Sequence, residues 1–394
     1  MLVFTAALAG GSPAAQEPEK PKPDGGTSVT YGPDGLIVES GDGNYRAQAR
    51  IRLQFRVSHP FDDDPLGAED FGAGDRTSLS IRRARFKLGG HAIRPWVNYY
   101  LEYDLPNSRL LDYRVTLERL PSLRLRLGQW KVEYNREQRD SSGEQQFAER
   151  SIVNGPFTVD RQQGVQLTGR VLRETPLDST YFAGVFTGMG ANERANDDSR
   201  PLWVARYQWN VFRRELPFSQ SDVAGRAQPA ASLAVATLSN RSPFTLFTGA
   251  GGGGLPGFPP GEAGQYAVRQ WLEEAAFHWR GFSFQHEFHW KTIDDNQTGV
   301  ETRMQGTYVQ AGVFVYRPEP GKPKGLELAA RYAFVDPNEA VDEDRRREIT
   351  AAANWFFRGH SNKITFDFSR LSLEQAAAPE LVSHRARLQW DIHF

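Results

Sequence analysis

The sequence predicts an all-β fold, a transmembrane antiparallel β-barrel of about sixteen strands. Three observations carry that reading. Long segments alternate apolar and polar residues with period two, no stretch after the N-terminus is apolar enough for a spanning helix, and long polar connections alternate with tight ones. A helix needs about 20 consecutive apolar residues to cross a bilayer, whereas a strand meets lipid only at every second position, which halves its hydropathy signal. A mean hydropathy of -0.56 with 39% hydrophobic residues therefore argues against a helical membrane protein and leaves a barrel open.

The clearest element runs from Tyr45 to Val57. Tyr45, Ala47, Ala49, Ile51, Leu53, Phe55 and Val57 are apolar or small, and Arg46, Gln48, Arg50, Arg52, Gln54 and Arg56 between them are polar. Period two over this length is a strand with two unlike faces, and it exceeds the about 5–6 residues of an ordinary globular strand. Leu123, Leu125 and Leu127 alternate with Arg124 and Arg126, and Val165, Leu167 and Val171 with Gln166, Thr168 and Arg170. Further alternation marks Val97 to Tyr103, Leu111 to Leu117, Trp203 to Trp209, Phe282 to Trp290, Thr307 to Val315, Leu326 to Tyr332, Ile349 to Trp355 and Ile364 to Phe368. Weaker segments near Ile81 to Leu88, Tyr181 to Thr187, Ala231 to Leu238 and Ala267 to Arg280, with a last strand at Arg385 to Phe394, bring the count to about sixteen. An even count leaves both chain ends on one side.

Barrels of this kind have short periplasmic turns and longer outer loops. With the N-terminus inside, the outer connections become 58–78, 104–110, 132–161, 188–201, 239–265, 291–303, 336–347 and 372–383, mostly long and polar. The turns between them are mostly tight; Val211 to Ala230 is long enough to hide a further strand. Trp96, Tyr99, Tyr103, Trp130, Trp203, Trp209, Trp279, Trp290, Trp355 and Trp390 lie near strand ends, as aromatic girdles at two interfaces would.

The N-terminal residues 1–15 read as a signal peptide: Leu2 to Ala9 is apolar and Ser12 to Ala15 are small. No Lys or Arg precedes the apolar run, so the true start is expected upstream. Residues 16–43 read as a periplasmic tether and lead-in, with Gln16 to Gly26 rich in Pro, Lys and Glu, and 44–394 as the barrel. With no cysteine there is no disulfide framework, thiolate metal site or cysteine nucleophile.

Net charge is only -1, so the placement of charges matters more than their sum. The inward candidates on the first strands, Arg46, Arg50, Arg52, Arg56, Arg83, Arg85, Lys87, Arg124 and Arg126, are far more cationic than anionic. Guanidinium groups stay charged and offer paired donors to phosphate or carboxylate oxygens, so such a wall gathers anions. Glu102, Asp104, Asp112 and Glu118 on adjacent strands could neutralise part of it. In the third long loop, Lys131, Arg136, Arg139, Arg150 and Arg161 are constriction candidates; a solvated mixed-charge loop with Glu133, Glu137, Glu144 and Glu149 is the alternative.

Several residues also carry a resemblance. Leu125-Arg126-Leu127-Gly128-Gln129-Trp130-Lys131 with Glu149-Arg150-Ser151, Ile81 to Arg85, Tyr308 to Gly312 and Leu326 to Tyr332 resemble blocks of the phosphate-selective porins O and P. The segment from Leu388 to Phe394, with Trp390 and the terminal Phe394, resembles the signal read by the outer-membrane barrel-assembly machinery. The resemblance implies a Gram-negative-type outer-membrane location, a trimer, a third loop folded into the pore, and passage of phosphate or other small anions. Glu133-Tyr134 departs from the family, which tends to continue with Pro and an aromatic after Lys131-Val132, and an acid there bears on phosphate preference.

The expectation is a passive channel for small hydrophilic solutes, in contact with lipid, with no cofactor, metal or nucleic-acid partner. A weakly selective diffusion channel is one alternative. A barrel enzyme is another, but no Ser, His and acid fall in register for it. Glu287 alternates faces with His286, which argues against a metal site with His289, and the acidic runs Asp62 to Asp64 and Asp342 to Asp344 read as outer-loop charges, either solvated or bridging divalent cations. Gly249 to Gly254 lacks the ending of a phosphate loop and reads as a mobile outer loop.

Overall fold

The computed structural model describes residues 26–32, 35–71, 76–247, 252–318 and 324–394. Residues 1–25, which hold the expected signal and nearly all of the tether, lie outside the described residues, as do 248–251 of the glycine-rich segment.

A short hairpin, β1 (Ser28–Gly32) and β2 (Gly35–Glu39), opens the fold. Eight long strands follow: β3 (Arg46–His59), β4 (Ser78–Ala92), β5 (Arg94–Asp104), β6 (Arg109–Leu120), β7 (Leu123–Lys131), β8 (Arg161–Val171), β9 (Ser179–Phe186) and β10 (Leu202–Asn210). Eight more complete the sheet: β11 (Ala230–Ser242), β12 (Tyr266–Trp279), β13 (Phe282–Asp295), β14 (Glu301–Tyr316), β15 (Gly325–Asp336), β16 (Arg346–Arg358), β17 (Asn362–Leu373) and β18 (Leu381–His393). From β3 onward each strand is antiparallel to its neighbours in the chain, and β18 closes on β3 with Leu388 opposite Val57 and Trp390 opposite Phe55. The result is a closed barrel of sixteen strands, as the alternation predicts.

Closure removes the sheet edges that an open sheet of this size would expose. Below Arg52, β18 no longer covers β3, and there β2 takes over with Leu36 opposite Ala49 and Glu39 opposite Arg46. The stretch expected as a lead-in is therefore a hairpin joined to the barrel. Phe394 adds a last pair of backbone bonds with Ile51, at 2.7 and 3.0 Å.

Alternation in sequence becomes alternation of environment. Along β10, Trp203, Ala205, Tyr207 and Trp209 face outward, and Leu202, Val204, Arg206, Gln208 and Asn210 are buried inside. Around the barrel the outward residues are exposed large apolar side chains, among them Val235, Trp271, Val313, Ile349, Phe366 and Leu388, so the apolar face is the outer one. Trp209, Trp279, Trp355 and Trp390 project outward close to the short-turn end, while Trp203, Trp271 and Trp290 lie further toward the other end. Trp130 does not belong to a girdle: it shares the inward phase of Arg124 and Arg126, is 1% exposed, and packs edge-on against Phe186.

Long connections sit at one end, at 60–77, 132–160, 187–201 and 243–265, and tight ones at the other, such as Ile93, 121–122 and 280–281. Residues 211–229 contain no strand. Instead Leu216, Gln220, Ser221 and Asp222 are buried, because this connection folds up into the barrel and meets the third loop.

Candidate functional site

The third loop, residues 132–160, crosses the barrel interior, with single helical turns at Arg136–Arg139 and Asn154–Phe157. A loop buried this deeply must satisfy its backbone polar groups. Four of its amides donate to carboxylates on four different strands: Arg136 N to Glu274 on β12 at 3.2 Å, Glu137 N to Glu287 on β13 at 2.7 Å, Ala148 N to Asp367 on β17 at 2.9 Å, and Ile152 N to Glu348 on β16 at 3.0 Å. Apolar contacts fill the same side. Tyr134, Val153 and Phe157 of the loop pack with Val204, Leu238, Val268, Leu272, Met304 and Tyr308, all on inward positions of β10 to β14. Glycine on β14 permits the approach: a Cβ at Gly306 would lie 2.5 Å from the Phe157 ring, and one at Gly312 2.0 Å from the Gln146 amide.

The loop also holds itself in shape. Lys131 Nζ donates to the carbonyls of Gln138 and Asp140 at 3.0 and 3.1 Å, and Arg150 donates to those of Glu137 and Asp140 at 2.8 and 3.0 Å. Arg136, wholly buried, shares Glu274 with Arg206, each at 2.8 Å, and lies over the Phe218 ring of the inward-folded 211–229 connection. Of the five constriction candidates, Arg136 and Arg150 are therefore loop anchors. Lys131, Arg139 and Arg161 reach open space beside the loop.

That space is a narrow polar gap of about 100 Å³ between the loop and the wall made by β4 to β8. Arg85, Lys87, Arg114, Lys131, Arg139 and Arg161 line it, against two carboxylates, Glu102 and Asp112, with Tyr100, Trp130, Ser141 and Ser142 completing the rim. Glu102 lies 2.8 Å from Arg85 and 3.8 Å from both Lys87 and Arg161, and Asp112 lies 2.6 Å from Arg161 and 2.8 Å from Arg114. Each acid is thus shared among more than one cation. Arg114 stacks on Tyr100 at 4.4 Å.

Glu133, the acid expected to oppose anions at the constriction, does not face the gap as a free charge. It is buried against Arg126 and Arg139 and accepts the Trp130 indole N–H at 3.0 Å. Burial alone would raise its carboxyl; the two guanidinium groups outweigh that and hold it at about 2.

The expected pore-lining set divides. Arg85 and Lys87 stand in the gap. Arg46, Arg50 and Arg124 sit toward the short-turn end of the same wall and carry no ion pair among the described residues. Arg52 and Arg56 enter the lumen but are buried and paired: both are 1% exposed, with Arg52 3.2 Å from Asp391 and Arg56 2.9 Å from Asp62 and 3.3 Å from Glu149. Arg83 pairs with Glu149 at 2.9 Å, and Arg126 with Glu133. Arg52 also donates to Ser142 Oγ of the loop at 3.0 Å, so these four hold wall to loop.

Asp62, Asp63 and Asp64 likewise pair with Arg56, Arg82 and Arg385 and are not merely solvated. No group of three metal-ligating side chains occurs among the described residues; His289 and Glu287 face inward together at 3.0 Å, and His286 points away to Thr307. Arg114 and Tyr100 were not singled out from the sequence. The inward phase of β6, already carried by Asp112, would have found Arg114.

The family model of the phosphate-selective porins O and P matches residues 51–211 and 262–392. No curated protein sequence matches the chain. Among solved structures, the anion-selective porin from Comamonas acidovorans is similar over 88% of this chain and 99% of its own, at 12% identity and a TM-score of 0.55. The outer membrane channel DcaP of Acinetobacter baumannii gives 88% and 97%, 11% and 0.55, and a loop-deleted OmpT, an outer membrane protein of Vibrio cholerae, gives 88% and 99%, 8% and 0.56. At such identities the structures speak for the fold, while the family match spans most of the barrel. A sixteen-stranded barrel with an apolar outer face, a loop-filled lumen and this family match together establish that the chain belongs to the phosphate-selective porin O and P family and forms a channel in the outer membrane of a Gram-negative bacterium.

Proposed function

We propose that this porin passes small anions in preference to cations, with phosphate and related oxyanions among its solutes. The carrying observation is the charge of the gap: six cationic side chains line it against two carboxylates that are already shared. In a confined space with low-dielectric walls, such an excess raises the local anion concentration and rejects cations. Arg46, Arg50 and Arg124 extend the same field toward the periplasm, so that an ion leaving the gap meets successive weak sites and no single deep one. The description of the family as phosphate-selective and the anion selectivity of the Comamonas acidovorans porin agree with this reading.

The proposal extends to assembly. Residues 1–15 act as the export signal, and the segment ending at Trp390 and Phe394 as the mark read by the barrel-assembly machinery. A trimer, a form in which the Vibrio cholerae OmpT structure is described, is the proposed state in the membrane.

Reconstitution in a planar bilayer under a potassium chloride gradient tests the function. An anion-directed reversal potential is expected, together with a fall in chloride current as phosphate is added, since an oxyanion held by paired guanidinium donors blocks the smaller ion. A reversal potential at zero would support the weakly selective channel, and a cation-directed one would refute the proposal.

A further inference from the structure

A second cavity, of about 710 Å³, opens at the outer mouth on the side of the lumen that the third loop fills. Its walls are mostly apolar, with Leu255 and Phe258 of the 243–265 loop facing Val300 and Met304. The loop wall is preformed. Phe258 N donates to Leu255 O at 2.8 Å, Leu255 N to Thr245 Oγ1 at 2.9 Å, and the Phe258 ring meets Tyr266 edge-on at 5.9 Å. Volumes of about 300–1,000 Å³ with apolar walls and a few convergent polar groups are typical of small-molecule sites.

One charged group gives this cavity its chemistry. Arg346, the first residue of β16, lines it, is 5% exposed, and leaves Nε and Nη1 without a hydrogen-bond partner among the described residues. A buried guanidinium with idle donors is costly: Asp64, Asp344 and Asp70 act on Arg346 through space, but none forms an ion pair with it among the described residues. A bound carboxylate would meet that need. Asp295 and Asp344 also line the cavity and disfavour a multiply charged guest such as phosphate.

We propose that this outer cavity binds a monocarboxylate with an apolar body, its carboxylate on Arg346 and its hydrocarbon against Leu255, Phe258, Val300 and Met304. The inference rests on the channel reading only in placing the cavity on a solute's route. Asp344 fits it: burial and the neighbouring Asp336 push its carboxyl up to about 6, with Arg345 and Arg346 opposing, while Asp64 and Asp70 also act on Arg346. A protonated Asp344 no longer repels the guest, so binding strengthens from about pH 7.5 to about pH 5.5, a range in which benzoate stays ionised.

The test is calorimetric titration of the full-length, detergent-solubilised barrel with benzoate, acetate and phosphate. Saturable binding of one benzoate is expected, with acetate and phosphate at least about tenfold weaker. Arg346→Gln should weaken benzoate about tenfold or more, as loss of hydrogen bonds to a charged group does, and Phe258→Ala severalfold. Heat-dependent electrophoretic mobility shows whether each variant is folded; if Arg346→Gln fails to fold, Phe258→Ala decides. Equal affinity for benzoate and acetate, or benzoate binding unchanged in the folded variants, would overturn the proposal. Because the titration needs no current, chloride conductance of the same preparation reports on the channel reading separately.

Discussion

Replacing Lys87 and Arg114 together by glutamine lowers the anion-to-cation permeability ratio by at least about tenfold at low salt. Two unit charges about 6 Å apart in an effective dielectric of about 50 interact with about 1 kcal/mol, so removing two cations from the gap changes the preference by about 2 kcal/mol. Salt screening reduces the figure, which is why dilute electrolyte is specified. These two residues make the substitution clean. Without Lys87, Glu102 keeps Arg85 at 2.8 Å and Arg161 at 3.8 Å; without Arg114, Asp112 keeps Arg161 at 2.6 Å. No buried acid is orphaned, so the barrel and the loop should stay as they are while the field in the gap falls. Reversal potentials of wild type and variant provide the measurement, and an unchanged ratio would place the conducting path elsewhere.

Glu274→Gln has the second large effect, on the loop. Glu274 is the shared partner of Arg136 and Arg206 and also accepts the Arg136 amide. Its neutralisation leaves two buried guanidinium groups with one carboxylate fewer, a loss of about 3–5 kcal/mol for breaking a buried pair. The strand ladder and the apolar outer face are untouched, so the strain falls on the third loop. Larger and noisier single-channel conductance is expected, with weaker anion preference as Arg139, which the loop carries, leaves the gap. A variant indistinguishable from wild type in conductance and noise would show that the loop is held by its apolar side alone.

The barrel was legible because lipid and lumen impose opposite chemistry on successive residues. Tyr45 to Val57 shows this without help, and the lengths of the connections give the sidedness. The inward loop was reached through the family resemblance, yet its seat is written in inward positions that break the polar phase: Val204, Val268, Leu272, Met304 and Tyr308 face inside, where water would not reward them. Reading those interruptions as a dry surface in need of a cover would have pointed to the loop.

Less accessible was the fate of each arginine. Arg50 and Arg52 share a face two residues apart, but Arg52 is neutralised by Asp391 near the other end of the chain, a pairing set by how β18 closes on β3. Arg56 and Arg83 are consumed by Glu149, which arrives only because the loop folds inward. Charge pattern along a strand shows which side chains enter the lumen; long-range closure decides which of them still see water. Trp130 lies at a strand end as the girdle tryptophans do, but the inward phase it shares with Arg124 and Arg126 decides where it points.

The absence of cysteine allows a direct test of where ions travel. Ser141→Cys places a thiol on the rim of the gap, and Ser369→Cys places one on β17, where Ser369 is buried behind the loop and bonded to Thr350. Added to the open channel, an anionic methanethiosulfonate reagent should react with the first and cut the current, and leave the second unchanged. Rapid loss of current at Ser369→Cys with none at Ser141→Cys would contradict a passage along the basic wall.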